Sequence, residues 1–329
     1  FNQIGNDINA IVNNTATSRQ LLLYDNGQLL TPLLKKVTFR NINATNHDYI
    51  IISNKLLRTP VNGSDPVESY AAYRASSAGG DFDTLTIDSD QLYNQYSYGE
   101  VSPLAVFNFM KFMVNEGDPA YLFLIGKGLD PRYNFHRNSA GFVEVTKLGV
   151  TRRLRDLVPS AGNPGSDMAF TAGLDGTSFE PAVPVGRIPV VNATQVKQYL
   201  DKVKEMAALP FDNLWRKKVL HLSGGISTFE LIQFESYMSG FGNIAQDDFF
   251  GGDVTTIAKQ SNSTVELINV ADEVNEGLNL ITFFGHSSPS VIDIDIGFVT
   301  DPVLGYNNPE KYPMFLINGC NAGQFFNQD

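Results

Sequence analysis

The chain has 329 residues, a formal net charge of −11, 43% hydrophobic residues and 18% charged residues. This balance is typical of a folded globular protein, and the length is enough for two domains or lobes. The acidic charge argues against nucleic acid as a partner, because binding to phosphates requires basic patches. No apolar run reaches the roughly 18 residues of a transmembrane helix, so the sequence predicts no membrane span.

From residue 48 onward, short apolar runs alternate with longer amphipathic stretches, which is typical of an α/β protein. In the first half, strands are predicted at 48–53, 83–88, 120–126 and 183–190, and helices at 64–77, 101–115 and 192–209, with a loop-rich stretch at 128–182. In the second half, strands are predicted at 217–225, 253–259, 279–286 and 313–320, and helices at 229–241 and 265–277.

The same pattern divides the chain into three regions. Residues 1–46 are mixed and polar, and are interpreted as an N-terminal segment that could end a preceding β-rich module. Residues 47–212 are predicted to form a first α/β subdomain, and residues 213–329 a second one. We therefore expect mostly parallel sheets flanked by helices, in two subdomains.

Reactive residues follow two of the predicted strands. His286 comes at the end of the strand at 279–286, and Cys320, the only cysteine, comes at the end of the strand at 313–320. In open parallel sheets, ligands bind beyond the carboxyl ends of the strands, so neighbouring strands would bring the two side chains to one rim. A cysteine needs a nearby base to become a thiolate, and Gly285 and Gly319 would allow sharp turns beside the pair. The pattern predicts a Cys–His nucleophilic site.

Several motifs resemble the gingipain family of clan CD cysteine peptidases, which includes the type IX secretion-system signal peptidase. INGCNAGQFF resembles the cysteine motif of the family and FFGHSSP its histidine motif, and the two reactive residues are 34 positions apart, close to the family spacing. YLFLIG, SDMAF and VGRIPV also fit, so the resemblance covers roughly 280 residues. The resemblance implies a caspase-like fold and an exported bacterial peptidase, secreted or on the cell surface, that acts on proteins or peptides.

The same resemblance assigns roles to the site residues. It implies that the Cys320 thiolate attacks a peptide carbonyl, that His286 serves the leaving group, and that the backbone N–H groups of Cys320 and Ser287 form the oxyanion hole. Gly285 and Gly319 belong to the same backbone site. No cofactor is implied for the chemistry.

The sequence departs from the family pattern at three places. Ser287 stands where the family has glycine. The strand at 217–225 ends in Ser223, Gly224 and Gly225, where arginine-specific members carry a glutamate beside the histidine, so we expect no such acid. Glu230 lies near the position of an aspartate that holds a basic P1 side chain, which makes it a weak substrate-binding candidate. The family continues well beyond its cysteine motif, so the catalytic region 213–329 is expected to be C-terminally incomplete.

Other polar residues have simpler interpretations. Asp293 and Asp295 could ligate a structural calcium through hard oxygens, although turn formation is the more common role of such aspartates. Asp167, in a pair with Ser166, is expected to make structural hydrogen bonds. His47, His136 and His221 are expected to be structural.

Three functions are consistent with these observations. The first is an exported cysteine endopeptidase. The second is a secretion-system signal peptidase that removes C-terminal sorting domains. The third is a non-catalytic gingipain-like surface module that binds other molecules, which Ser287 and the missing acid favour and the intact cysteine motif opposes.

Overall fold

The computed structural model describes residues 36–129, 156–162 and 164–326, together with Asn2–Ile4, Asp7–Asn9 and Gly27. The chain forms two compact units, Phe1–Thr38 and Phe39–Asp329. In the first unit, β1 (Asn2–Ile4) and β2 (Asp7–Asn9) pair antiparallel. His136 lies outside the described residues, as do residues 130–155 and 163 of the predicted loop at 128–182. Within the described ranges, no helix has the length and apolar character needed to cross a bilayer.

The first half of the larger unit contains a four-stranded parallel sheet. Its strands are β3 (Tyr49–Ser53), β4 (Thr84–Asp88), β5 (Tyr121–Ile125) and β6 (Val185–Ile188), in the order β4-β3-β5-β6. The helices are α1 (Pro66–Arg74), α2 (Ser89–Tyr96), α3 (Pro103–Glu116) and α4 (Ala193–Ala208). The strands and helices predicted for this half are confirmed, and α2 is an additional helix.

Helices cover both faces of this sheet because successive strand residues point to opposite sides. On one face, Ile50 and Ile52 belong to a core shared with α2 and α3, and on the other, Tyr49 and Ile51 belong to a core shared with α1 and α4. Ile50, Ile51 and Ile52 are fully buried. Because both faces are covered, the strand is a continuous apolar run rather than an alternating one.

The second half contains a second four-stranded parallel sheet. Its elements are β7 (Lys218–Ser223), β8 (Asp253–Ala258), β9 (Glu266–Leu267), β10 (Leu280–Phe284), β11 (Ile294–Asp295) and β12 (Met314–Asn318), with helices α5 (Thr228–Ala245) and α6 (Ala271–Glu276). The main sheet has the order β8-β7-β10-β12, and β9 and β11 form a separate parallel pair. Counted along the chain, both main sheets have the same strand order: second, first, third, fourth.

One face of the second sheet packs on a core that includes Leu220, Leu222, Ile281 and Phe283 together with side chains from α6 and β11. Helix α5 packs against β7 and β8. At the edge of the sheet, every residue of β12 is exposed, although its sequence MFLIN is that of a buried strand. Cys320 therefore follows an edge strand.

One predicted element is wrong in part. The stretch 265–277 was expected to be a single helix, but Glu266–Leu267 is a strand and only Ala271–Glu276 is helical. The first residues have a β-strand pattern and pair with Ile294–Asp295, and the Asn269 side chain accepts the Ala271 N–H where the helix begins. The predicted subdomain boundaries, at residues 46 and 212, remain a prediction.

Candidate active site

The two predicted reactive residues follow neighbouring strands, at the carboxyl ends of the strands of the second sheet. β10 and β12 are parallel and hydrogen-bonded, and Phe284 lies opposite Asn318 in the register. His286 and Cys320 each come two residues after that pair. Cys320 is exposed, and the His286 side chain is 48% exposed, so both can be reached from solvent. Sheet order and register therefore bring both residues to one accessible rim.

The loop after β10 folds into a short hairpin that carries His286 and Ser287. Ser287 forms an antiparallel bridge with Ile292, and the Asp293 N–H donates to the His286 carbonyl oxygen at 3.0 Å. At the tip, the Ser288 N–H donates to the Val291 carbonyl oxygen at 2.7 Å. The intervening Pro289 suits such a turn, because its fixed φ matches the second turn position. The histidine is thus presented by a closed hairpin.

Ser287 contacts the backbone of the cysteine turn directly. Its Oγ donates to the Cys320 carbonyl oxygen at 2.7 Å, which joins the histidine loop to the cysteine loop. Gly319 makes room for it, since a Cβ there would lie 2.4 Å from Ser287 Oγ. Among the described residues, neither the Ser287 N–H nor the Cys320 N–H donates a hydrogen bond. Within this part of the chain, the two donors that the resemblance assigns to an oxyanion hole make no hydrogen bond; that assignment remains a prediction.

Glu230, a substrate-binding candidate from its sequence position, instead lies beside the histidine. Its Oε1 lies 3.2 Å from His286 Nε2, and its Oε2 accepts the Ile226 N–H at 3.0 Å. The Ile226 N–H, assisted by His286, holds the pKa of Glu230 below its ordinary value. Strand β7 lacks an acid at its end, as expected, but helix α5 supplies one. The expectation that His286 has no acidic partner is thus wrong.

Helix α5 begins in a way that fixes Glu230 in this position. Ser227 is the N-cap, and its Oγ accepts the Glu230 N–H at 3.3 Å. Ser227 and Glu230 have the S-x-x-E spacing of a capping box, in which the glutamate turns back toward the start of the helix. Because β7 is adjacent to β10, a side chain that turns back here reaches His286. The S-x-x-E spacing is a sequence signal for the start of α5, but it does not show that Glu230 lies beside His286.

Asp293 and Asp295, the calcium candidates, bind backbone N–H groups. Asp293 is only 3% exposed, and its Oδ2 accepts the N–H groups of Gly225 at 2.7 Å and His286 at 3.1 Å. Asp295 Oδ1 accepts the Gly297 N–H at 2.8 Å. In the described part of the chain, no group of three or more His, Cys, Asp or Glu side chains is placed to hold a metal ion. The calcium assignment remains a prediction, and the geometry favours structural roles.

A buried ion pair lies beside the segment that follows Cys320. The Arg187 side chain is 2% exposed and contacts both carboxylate oxygens of Asp167 at 2.7 and 2.8 Å. Its guanidinium lies 5.8 Å from the Phe326 ring centroid, and Phe326 also packs against Gly165. Asp167 does make structural hydrogen bonds, but to Arg187 from the VGRIPV motif. The pair therefore joins two sequence motifs to the end of the cysteine turn.

His221 makes its hydrogen bond inside the second sheet rather than to the reactive pair. It is buried in β7, and its Nδ1 lies 2.6 Å from Thr282 Oγ1 of the adjacent strand. Burial lowers the pKa of His221, so the folded protein favours the neutral ring. This agrees with a structural role.

Comparison with known proteins assigns the chain to a family. The model of peptidase family C25 matches residues 42–329. No curated protein sequence matches the chain. Two solved structures share its fold at 15% identity: the complex of Porphyromonas gingivalis RgpB pro- and mature domains, and the Arg-specific cysteine proteinase gingipain R.

The structural likeness covers most of this chain but only part of those proteins. The TM-scores are 0.59 for the RgpB complex and 0.60 for gingipain R, over 85% and 88% of this chain. The matched parts are 57% and 58% of the two solved chains, so this chain spans less than three-fifths of their length. The likeness confirms the predicted gingipain-like α/β fold. Together with the family match over residues 42–329, it shows that the chain belongs to peptidase family C25.

Proposed function

We propose that this protein is a cysteine endopeptidase in which Cys320 is the nucleophile and His286 its acid–base partner. The observation that supports this most strongly is the register of β10 and β12, which places the two residues at equivalent positions after adjacent parallel strands. The Ser287 hydrogen bond to the Cys320 carbonyl oxygen then ties the two loops together. Nucleophilic catalysis requires this kind of proximity between a thiol and a base.

The chemistry follows from the groups present. The Cys320 thiolate adds to the peptide carbonyl carbon, and the resulting oxyanion is bound by the N–H groups of Ser287 and Cys320. The C–N bond then breaks, the protonated His286 gives its proton to the leaving amine, and a thioester remains. Water, deprotonated by His286, hydrolyses the thioester and restores the thiolate. Since Nε2 contacts Glu230, Nδ1 is the nitrogen left for these proton transfers.

Glu230 supports this proposal by stabilising the protonated form of His286. The Ile226 N–H and the His286 contact lower the pKa of Glu230, which favours the charged carboxylate beside the ring. The carboxylate also fixes the orientation of the ring, as the third member of a catalytic triad does. The lack of an acid had favoured a non-catalytic surface module, and the contact between Glu230 and His286 removes that argument.

The substrate and location are proposed on the family membership. We expect protein or peptide substrates, and export to the cell surface or the medium. Because both Glu230 oxygens already have partners, its use as the binding group for a basic P1 residue is the weaker of its two roles. The removal of C-terminal sorting domains remains a narrower prediction within the same chemistry.

The proposal is tested by measuring alkylation and cleavage in parallel. The wild-type protein and Cys320→Ala would be assayed against a peptide library, and iodoacetamide labelling of the wild type would be followed across pH. We expect cleavage only with Cys320, and rapid labelling well below pH 8.5, the approximate pKa of an ordinary free cysteine. Labelling with an ordinary profile, together with no Cys320-dependent cleavage, would refute the peptidase assignment.

The role of Glu230 has a matched control on the same helix. Glu230→Gln should lower kcat about tenfold or more, since it removes the ionised partner of His286. Glu235→Gln changes an exposed glutamate of α5 and should leave kcat unchanged. Equal activity of the two variants would exclude Glu230 from the catalytic group. A strong preference for basic P1 residues that disappears only in Glu230→Gln would instead support the substrate-binding role.

A further inference from the structure

A buried carboxylate lies between the ends of β7 and β10, the strands that lead to Glu230 and His286. Asp293 is 3% exposed, and its Oδ2 accepts one N–H from each side: Gly225, after β7, and His286, after β10. Its own N–H donates to the His286 carbonyl oxygen at 3.0 Å. Asp293 therefore holds the backbone of His286 at both its N–H and its C=O.

Two glycines provide the space for this carboxylate. A Cβ on Gly224 would lie 2.0 Å from Asp293 Oδ1, and a Cβ on Gly285 would lie 2.5 Å from the same atom. Neither position can carry a side chain while the aspartate is in place, since carbon and oxygen cannot approach so closely. The Gly224–Gly225 turn contains no acid of its own, but it makes space for the Asp293 carboxylate and donates a hydrogen bond to it.

The contacts of Asp293 continue into the Glu230–His286 pair. Next to Gly225, the Ile226 N–H donates to Glu230 Oε2, and Glu230 Oε1 contacts the His286 ring. The His286 N–H in turn donates to Asp293, so the contacts of Asp293, Glu230 and His286 form a closed ring. On the opposite side of the turn, the buried Lys259 ammonium donates to the Gly225 carbonyl oxygen at 2.9 Å.

Burial of the carboxylate is costly in this environment. Oδ1 of Asp293 is buried and has no hydrogen-bond partner among the described residues. A buried charge is normally stabilised by pairing and by hydrogen bonds at both oxygens. Oδ2, by contrast, accepts two N–H groups, and both belong to turns that position Glu230 or His286.

We propose that Asp293 is a positioning residue that aligns His286 with Glu230, an inference that rests on the proposed peptidase function. Without its carboxylate, the His286 hairpin and the Gly225 turn lose their common acceptor, and the ring and its acid can separate. A displacement of about 1 Å in a catalytic group can lower a rate on the order of 100-fold. Asp293 acts through these two residues and does not itself touch the substrate.

The test is a double-mutant cycle read in steady-state kinetics. The variants are Asp293→Ala, Asp293→Asn, Glu230→Gln and the double variant Asp293→Ala/Glu230→Gln. Asp295→Asn is the matched control, because Asp295 also accepts a backbone N–H but contacts neither strand end. We expect kcat to fall about tenfold or more in Asp293→Ala with KM within about twofold of wild type. Asp293→Asn, which retains an acceptor oxygen, should recover part of the loss.

The double variant decides whether Asp293 acts through Glu230. If the two act as one unit, the double variant should be no slower than the slower single variant. Multiplicative effects of the two substitutions, or a kcat of Asp293→Ala equal to that of Asp295→Asn, would overturn the proposal.

Amide hydrogen exchange provides a second measurement that does not depend on activity. The His286 and Gly225 N–H groups should exchange faster in Asp293→Asn than in Asp295→Asn, because a neutral amide is a weaker acceptor than a carboxylate. Unchanged exchange at both sites would overturn the proposal, including when Asp293→Ala does not fold. If the wild-type protein lacks Cys320-dependent cleavage, the peptidase function fails, whereas these exchange rates still decide the role of Asp293.

Discussion

Replacement of Asp167 by asparagine should reveal how much the buried Arg187 ion pair stabilises the fold. Arg187 donates to both oxygens of Asp167 and also to the carbonyl oxygens of Gly126, Val158 and Pro159, at 2.6, 2.9 and 2.8 Å. The arginine side chain is 2% exposed and the aspartate 14%. Asp167→Asn leaves the guanidinium buried but removes its counter-charge.

The expected loss follows from this burial. Removal of one partner from a buried ion pair costs about 3–5 kcal/mol, since the remaining charge is uncompensated. Asparagine retains one acceptor and the site has some access to water, so we expect about 3 kcal/mol for Asp167→Asn. Arg187→Met should cost more, about 5 kcal/mol or above, because it leaves the Asp167 carboxylate and three carbonyl groups without their hydrogen-bond donor.

Urea denaturation of the variants, followed by near-UV circular dichroism, measures these losses. Asp201→Asn is the control, because Lys197 and Asp201 form a half-exposed i,i+4 ion pair on α4, whose loss should cost less than about 0.5 kcal/mol. The reasoning fails if Asp167→Asn lies within about 1 kcal/mol of wild type. It also fails if Arg187→Met is the less damaging of the two substitutions.

Three further predictions concern other residues in the second half of the chain. Gly240→Ala should raise the free energy of unfolding by about 0.5–1 kcal/mol in urea titrations, because the new methyl group on α5 meets open space; a loss of stability would contradict this. The pKa of His221 is lowered by burial from an ordinary value near 6.5, so between its folded pKa and about 6.5 the unfolded state binds more protons and stability should fall as pH falls. His221→Asn should remove that part of the pH dependence, and identical slopes of unfolding free energy against pH would refute it. Ser287→Ala should slow Cys320-dependent cleavage severalfold by releasing the 2.7 Å bond between the loops, whereas Ser288→Ala should not; equal rates would contradict the role of that bond.

The sequence was sufficient to predict the parts of the site that depend on local pattern. Apolar runs of four to six residues indicated the strands, and His286 and Cys320 were recognisable because each comes shortly after one. That they share a rim required only that β10 and β12 be neighbours, as their order along the chain suggested. Their accessibility and the Ser287 bridge needed the structure.

The two acidic residues could not be assigned from the sequence for a physical reason. Glu230 reaches His286 only because β7 is adjacent to β10, a long-range pairing that periodicity does not encode. Asp293 is buried only because the hairpin after His286 folds back over two glycines. In isolation, each residue has the pattern of a surface or turn carboxylate. Likewise, the apolar sequence of β12 does not show that this strand forms the exposed edge of the sheet.

The two main sheets of this protein have the same strand order, yet only one carries the candidate chemistry. In such sheets the crevice lies beyond the carboxyl ends of the central strands, where the order reverses. In the first sheet, hydrogen bonds link the residues in this region: Asn54, after β3, donates to Ser89 Oγ and to the Leu157 carbonyl oxygen, and Ser89 also donates to that oxygen.

In the second sheet the equivalent region is lined by glycines instead, and a buried carboxylate binds the backbone beneath it. Gly224 and Gly285 keep side chains out of the turns, so Asp293 can hold them while the His286 ring stays exposed above. The two sheets therefore share one topology, and the residues that follow the strands determine which of them carries the candidate chemistry. Since the glycines and the aspartate make one unit, a side chain introduced at Gly224 should disturb His286 without any contact between the two residues.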